Sequence, residues 1–246
     1  KAIYNFLSPS KKKFSFIDNF SDFDLNENSK SATLIISKSG NTLETISNLN
    51  ILLNKKNKNI FLTENKKSYL LKLSHELKSD VIYHNNFIGG RYSVLSEVGM
   101  LPAKLMGFRP EKFRRFNHLV KNKHFMNTLV QNVSSIFDLV NKKKTNSIIL
   151  NYDKKSNDLF FWYQQLVAES LGKKSKGILP IISSMPADNH SMLQLYLDGP
   201  KNNFFTFFKA LDLKSDKINN KWLNVNQNYL KNKSFSKIIN AQKNAT

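Results

Sequence analysis

Apolar residues in this chain fall into short β-branched runs that alternate with stretches of helical period. Thr33-Leu34-Ile35-Ile36 is one such run, apolar enough to read as a strand buried on both faces. A polar turn follows, Ser37-Lys38-Ser39-Gly40-Asn41-Thr42, and then Leu43, Ile46, Leu49 and Leu53 recur at helical spacing. Residues 59–63 predict a second strand, 68–77 a helix and 80–84 a third strand. Strands alternating with helices predict a parallel sheet covered by helices, whose ligands lie beyond the carboxyl ends of the strands. Upstream, residues 1–30 read as a helix-like start, a short strand at 14–19 and an acidic, polar loop.

The alternation then repeats. A helix over 94–106 ends at Gly107 and Pro110, a domain seam, and residues 111–142 form a long, broken amphipathic helical region. Residues 147–152 restart the strands. A helix over 156–171 places Gly172 at its C′ position, and 178–182 form another strand. Asp188-Asn189-His190-Ser191 opens a short helix, residues 204–208 read as a buried strand, and a Lys/Asn-rich helical tail runs from Trp222. The pattern is that of two α/β domains.

Composition narrows the function. A net charge of +20 invites a nucleic-acid reading, but the only arginines are Arg91, Arg109, Arg114 and Arg115. Sequence-reading surfaces favour clustered Arg forks, whereas these lysines are scattered among asparagines, so the charge is background on solvated faces. The absence of cysteine excludes disulfides, thiolate metal sites and a Cys nucleophile. No apolar run reaches the roughly 18 residues a membrane span needs. The chain opens on Lys1 without an initiator Met and closes on Asn244-Ala245-Thr246, which reads as an internal portion of a longer protein.

Four segments carry chemistry. A strand running through a Ser/Gly/Thr turn into a helix makes an anion pocket, because the helix start offers free N–H groups and a positive dipole end. Ser37, Ser39 and Thr42 add hydroxyls. No Gly-x-x-x-x-Gly-Lys-Ser/Thr signature is present, so a phosphate monoester fits better than a nucleoside triphosphate. The alternative at this point is a capping box, with Asn41 and Glu44 merely closing the helix start. Gly89-Gly90-Arg91 brings a cation to the strand-end face, or is a simple turn with a surface Arg. Gln165 and Glu169 share one helix face. The last-turn dipole and the upstream aromatics would push the Glu169 carboxyl upward, towards a general base, unless it is an ordinary surface residue. Asp188 is placed to cap a helix and to fix the tautomer of His190. His75, His84, His118 and His124 show no metal spacing and read as structural or surface residues.

In order along the chain, the segments at 37–45, 89–93, 165–173 and 188–191 resemble the phosphoglucose isomerase family. The resemblance implies two sugar-isomerase (SIS) domains, parallel α/β sandwiches at 1–107 and 108–246, the first lacking its N-terminal part and the second its C-terminal part. It implies interconversion of glucose 6-phosphate and fructose 6-phosphate through a cis-enediolate, in glycolysis and gluconeogenesis, with neither metal nor cofactor. By the same resemblance Ser37, Lys38, Ser39 and Thr42 hold the phosphate, Glu169 shuttles the proton, and Arg91 stabilises the enediolate. His190 opens the ring from the partner subunit of a cytoplasmic homodimer, while Gln165, Glu44 and Gly90 support. The family commonly has Gln where Asn189 stands, Thr where Asn41 stands and a small residue where Glu97 stands. An upstream Gly-Ser turn and a downstream Gln-x-Gly-Val-Glu-x-x-Lys segment are not among these residues, so the 246 residues alone are expected to turn over poorly. A sugar-phosphate-sensing SIS domain of a regulatory protein is the alternative; it predicts the phosphate cradle without Arg91, Glu169 and His190. Neither specific nucleic acid nor membrane is an expected partner.

Overall fold

The computed structural model describes residues 1–7, 14–20, 31–211 and 215–246; the acidic loop expected after residue 19 lies outside them. In chain order the elements are α1 (Ala2–Leu7), β1 (Ala32–Ile36), α2 (Leu43–Leu52), β2 (Lys58–Glu64), α3 (Tyr69–Glu76) and β3 (Asp80–His84). A 3-10 helix (Gly90–Leu95) leads into α4 (Glu97–Leu105), α5 (Pro110–Arg114), α6 (Asn117–Lys121) and α7 (Lys123–Asn141). Then come β4 (Asn146–Asn151), α8 (Asn157–Leu171), β5 (Leu179–Ser184), a 3-10 helix (Ala187–His190), α9 (Leu193–Asp198), β6 (Asn203–Phe208) and α10 (Phe235–Ala245).

The chain divides into two units, Pro9–Phe116 and Lys1–Ser8 with Asn117–Thr246. The division falls beyond the Gly107–Pro110 turn, and α1 groups with the later unit through its packing on α8.

The Pro9–Phe116 unit holds a parallel sheet of order β1-β2-β3. Ile35 pairs with Phe61, and Leu62 with Ile82. As the central strand, β2 buries Phe61 and Leu62 completely, as expected where both faces of a parallel sheet are covered. Ile35, Leu49, Phe61 and Leu70 form the core, with Leu53, Leu73, Leu77 and Val81 packed around it. Residues 14–19 form no strand. The carbonyl of Asn19 accepts a bond from the buried amide of Asn48 at 3.1 Å.

The second unit holds a parallel sheet of order β5-β4-β6. Its core is Ile148, Leu150, Tyr152, Met185 and Tyr196, with Ile181, Met192 and Ile239 packed on it. The run at 204–208 is a strand, but it lies at the edge of this sheet, and Phe205 and Phe207 remain 39% and 46% exposed. Aromatic contacts hold it: Phe208 meets Phe160 edge-on at 4.8 Å, and Phe205 meets Tyr196 at 5.5 Å. The long region at 111–142 is broken into α5, α6 and α7. Among the described residues no helix is long and apolar enough to cross a membrane.

Candidate active site

Seven of the expected site residues (Ser37, Lys38, Ser39, Thr42, Glu44, Gly90 and Arg91) belong to the Pro9–Phe116 unit. Gln165, Glu169 and His190 belong to the other.

The turn after β1 is held on β2 by its backbone. The N–H of Ser37 donates to Leu62 O at 3.1 Å, and Lys38 O accepts from the Glu64 N–H at 3.0 Å and from Thr63 Oγ1 at 3.2 Å. Gly40 has φ +67°, and a Cβ there would lie 2.3 Å from Ser68 Oγ, so both backbone conformation and space demand glycine. This close approach lets the turn cap α3. Asn41 Oδ1 accepts the Tyr69 N–H at 2.9 Å, Gly40 O accepts that of Leu70 at 3.1 Å, and Ser68 Oγ accepts that of Leu71 at 3.3 Å.

The start of α2 is left open. Its N-cap residue, Thr42, makes no side-chain capping bond, because its hydroxyl is paired with Ser37 Oγ at 2.7 Å. The capping box that was the alternative here is not formed. Asn41 serves the neighbouring helix, and Glu44 is exposed in the first turn with no hydrogen bond among the described residues. Among those residues the N–H groups of Lys38, Ser39, Thr42, Leu43, Glu44 and Thr45 have no acceptor. Two helices therefore start beside one turn, one capped and the other with its donors unspent, an arrangement suited to an anion. Ser39 Oγ accepts from the Asn41 N–H at 3.2 Å. The Lys38 ammonium points elsewhere: it pairs with Glu64 at 3.2 Å and donates to Ile88 O at 2.9 Å.

Gly90 and Arg91 open the 3-10 helix after β3. A Cβ at Gly90 would meet nothing within 4 Å. The Arg91 guanidinium lies 5.4 Å from the centre of the Tyr92 ring. Behind it, Gly99 is packed so closely that a Cβ would fall 2.0 Å from Val94 O. His84 is buried, its Nδ1 bonded to Glu97 Oε1 and its Nε2 3.1 Å from Ile88 O. Its structural reading holds, and Glu97, where the family usually has a small residue, is its partner. Burial works to raise the Glu97 carboxyl, but its own N–H, His84 and the Asn85 N–H more than reverse this and hold it below the ordinary value.

In the second unit, Gln165 Nε2 donates to Glu169 Oε1 at 2.9 Å, one turn apart on α8 as their spacing requires. Glu169 is exposed, so the shielding expected from the upstream aromatics is not realised. Gly172 is the C-cap with φ −72°, not a left-handed C′ residue. Glycine is needed there because a Cβ would come within 2.6 Å of Ala168 O, and the left-handed residues follow at Lys174 and Ser175. His190 ends its 3-10 helix, exposed, its ring without a hydrogen bond among the described residues. Asp188 does not orient it. Its carboxylate accepts from Ser183 Oγ at 2.7 Å, the Ser184 N–H at 2.8 Å and Ser191 Oγ at 3.3 Å, because the backbone turns it towards the end of β5. Asn189 Oδ1 is buried without a partner. Among the described residues no three His, Asp or Glu side chains are gathered as a metal would require.

Sequence reasoning passed over Glu64, Ser68, Glu97 and the carbonyl of Ile88. Ser68 carried a signal as the predicted start of a helix and Glu97 as a departure from a family pattern; Glu64 and the Ile88 carbonyl carried none.

The architecture defines a two-unit parallel α/β protein with an uncapped helix start at the turn after its first strand. The family model described as phosphoglucose isomerase matches residues 11–184, and the chain belongs to the phosphoglucose isomerase family. It is 32% identical to a glucose-6-phosphate isomerase of Methanocaldococcus jannaschii, over all of this chain and 65% of the relative. It is 30% identical to one of Mycoplasma genitalium, over 89% of this chain and 56% of the relative. The fold is similar to the crystal structure of a hypothetical protein from Thermus thermophilus, with a TM-score of 0.82 at 21% identity, covering 99% of this chain and 64% of that one. The chain thus spans a little under two thirds of the length of the archaeal relative.

Proposed function

We propose that the chain carries the working core of a cytoplasmic glucose-6-phosphate isomerase built from two SIS domains, an aldose–ketose isomerase of glycolysis and gluconeogenesis. The observation that carries this reading is the pair of helix starts beside one turn: α3 capped, α2 open beneath the Ser37–Thr42 hydroxyl pair. Unspent N–H donors beneath hydroxyls suit the phosphate of a sugar phosphate. Ser37 is buried and accepts the Gly40 N–H, so its single hydrogen is best given to Thr42, whose own hydrogen then faces the phosphate. Ser39 adds a second hydroxyl, and Lys38 contributes its backbone N–H, since its ammonium is held elsewhere.

The chemistry follows from the remaining groups. His190, reaching the site from the partner subunit of a homodimer, moves the ring proton that opens the hemiacetal. The Glu169 carboxylate takes the proton from C2 of the open aldose, and the C–H electron pair becomes the C1=C2 bond of an enediolate. Negative charge develops on O1, where the fixed Arg91 cation lowers its energy. The O2 proton passes to O1, the O2 electron pair forms C2=O, and return of the carbon-bound proton to C1 gives the ketose. Gln165 orients Glu169 through its amide, Glu44 lines the cradle, and the open space at Gly90 leaves room for substrate.

Calorimetry with fructose 6-phosphate and with fructose, on the protein expressed from its full reading frame, tests the cradle. Thr42→Val removes one hydrogen bond to a charged group, about 1.5–3 kcal/mol or roughly a 10–100-fold loss of affinity, while Thr42→Ser keeps it. Equal binding of the phosphorylated and free sugars would refute the reading.

A further inference from the structure

We propose that Lys38, His84 and Glu97 form a brace that fixes the loop carrying Arg91 relative to the phosphate turn, and that these three are positioning residues for the isomerisation. The proposal rests on the reading of Arg91 as the enediolate's cation.

The brace meets at one atom. Ile88 O, three residues before Arg91, accepts from Lys38 Nζ at 2.9 Å and is 3.1 Å from His84 Nε2. A carbonyl oxygen has two lone pairs, so both donors fit. Lys38 also reaches Asn86 O at 3.5 Å. On the other side of the ring, His84 Nδ1 meets Glu97 Oε1, which also accepts the Asn85 N–H at 3.1 Å. Oxygens therefore face both ring nitrogens, the Glu97 carboxyl at Nδ1 and the Ile88 carbonyl at Nε2. The charged groups around the ring come from three elements. Glu97 on α4 is in direct contact, Glu64 is the register neighbour of His84 on β2, and Lys38 and Lys66 hold Glu64 at 3.2 and 2.9 Å. His84 is only 2% exposed.

This geometry separates two roles that share a segment. From the inner side, residues 85–95 are tied to β3, α4 and the phosphate turn, and Gly99 admits Val94 O against α4. On the outer side nothing crowds Gly90. A loop fixed behind and open in front holds its arginine still without blocking a ligand. Apolar packing could tether the same loop, but converging bonds on one carbonyl set its distance from the turn.

Steady-state kinetics on the protein from its full reading frame tests the brace, with Arg91→Lys as reference. Glu97→Ala should lower kcat roughly tenfold through misplacement of the cation, with KM for fructose 6-phosphate within about twofold. Glu97→Gln, whose amide oxygen still accepts from His84 and Asn85, should recover most of the loss. Lys38→Met should give the same split, since the backbone N–H that faces the phosphate remains. A Lys38→Met variant with raised KM and unchanged kcat would overturn the proposal by making the ammonium a phosphate ligand. Retained kcat in Glu97→Ala, alongside an impaired Arg91→Lys, would overturn the brace alone. Retained kcat in Arg91→Lys would instead remove the reading on which it rests. Should Glu97→Ala fail to fold, Lys38→Met decides the matter, because its side chain is partly exposed.

Discussion

Alanine at Gly40 and at Gly90 is the same chemical change with opposite expected consequences. At Gly40 the residue sits at φ +67°, where an L side chain costs about 1–2 kcal/mol. The new methyl would also lie 2.3 Å from Ser68 Oγ, 2.7 Å from Ser68 Cβ and 2.9 Å from Thr63 Oγ1. Ser68 must give way, and with it goes the cap on the Leu71 N–H, about 1 kcal/mol more. The expected loss is about 2–3 kcal/mol. At Gly90 nothing lies within 4 Å, so stability should hold or rise by up to about 1 kcal/mol. Both tryptophans, Trp162 and Trp222, lie in the other unit, so fluorescence would miss the effect. Hydrogen exchange of peptides covering β1, β2 and α3 reads it directly. Protection in Gly40→Ala within about 0.5 kcal/mol of wild type would refute the packing of the turn against α3.

Further expectations follow from the same geometry. Gly90→Ala, though harmless to stability, should reduce turnover by narrowing the approach to Arg91, which steady-state kinetics would detect. The Lys66 bond lowers the Glu64 carboxyl below its ordinary 4.5 against the opposing effect of burial, with Lys38 assisting. That stabilisation is complete above about pH 4.5 and is lost as pH falls through the lower folded value. Acid titration of β2 exchange protection should therefore be steeper in wild type than in Glu64→Gln, and equal slopes would argue against the pairing. If the +20 charge is background, binding to duplex DNA should show a shallow dependence on salt, whereas a steep log–log slope would reveal ordered phosphate contacts.

How much was legible in the chain depends on the kind of information. β3 was readable over its full extent, Asp80–His84, and β2 and α3 to within about a residue, because β-branched runs and the Ser68 cap are local signals. Residues 204–208 show where locality ends. Alternation marks a strand, but only its neighbours decide that β6 lies at an edge with Phe205 and Phe207 half out. Residues 14–19 read as a strand, yet they form none in the structure. Side-chain partners were least legible. Asn41 caps the helix after the next strand, Asp188 serves Ser183 and Ser184, and Lys38 bonds to carbonyls 48 and 50 residues away. Each choice is made by tertiary approach, which no spacing encodes. The candidate site residues were named from the order of four short segments, not from any one of them.

The central claim is that a carboxylate moves one proton between two carbons of a phosphate-anchored sugar. Converting fructose 6-phosphate in D2O and following the product by NMR tests it most directly, using the protein from its full reading frame. Wild type should place deuterium at C2 of glucose 6-phosphate, and Glu169→Gln should place none while still binding the sugar phosphate. Deuterium appearing at C2 at the wild-type rate in Glu169→Gln would contradict the account.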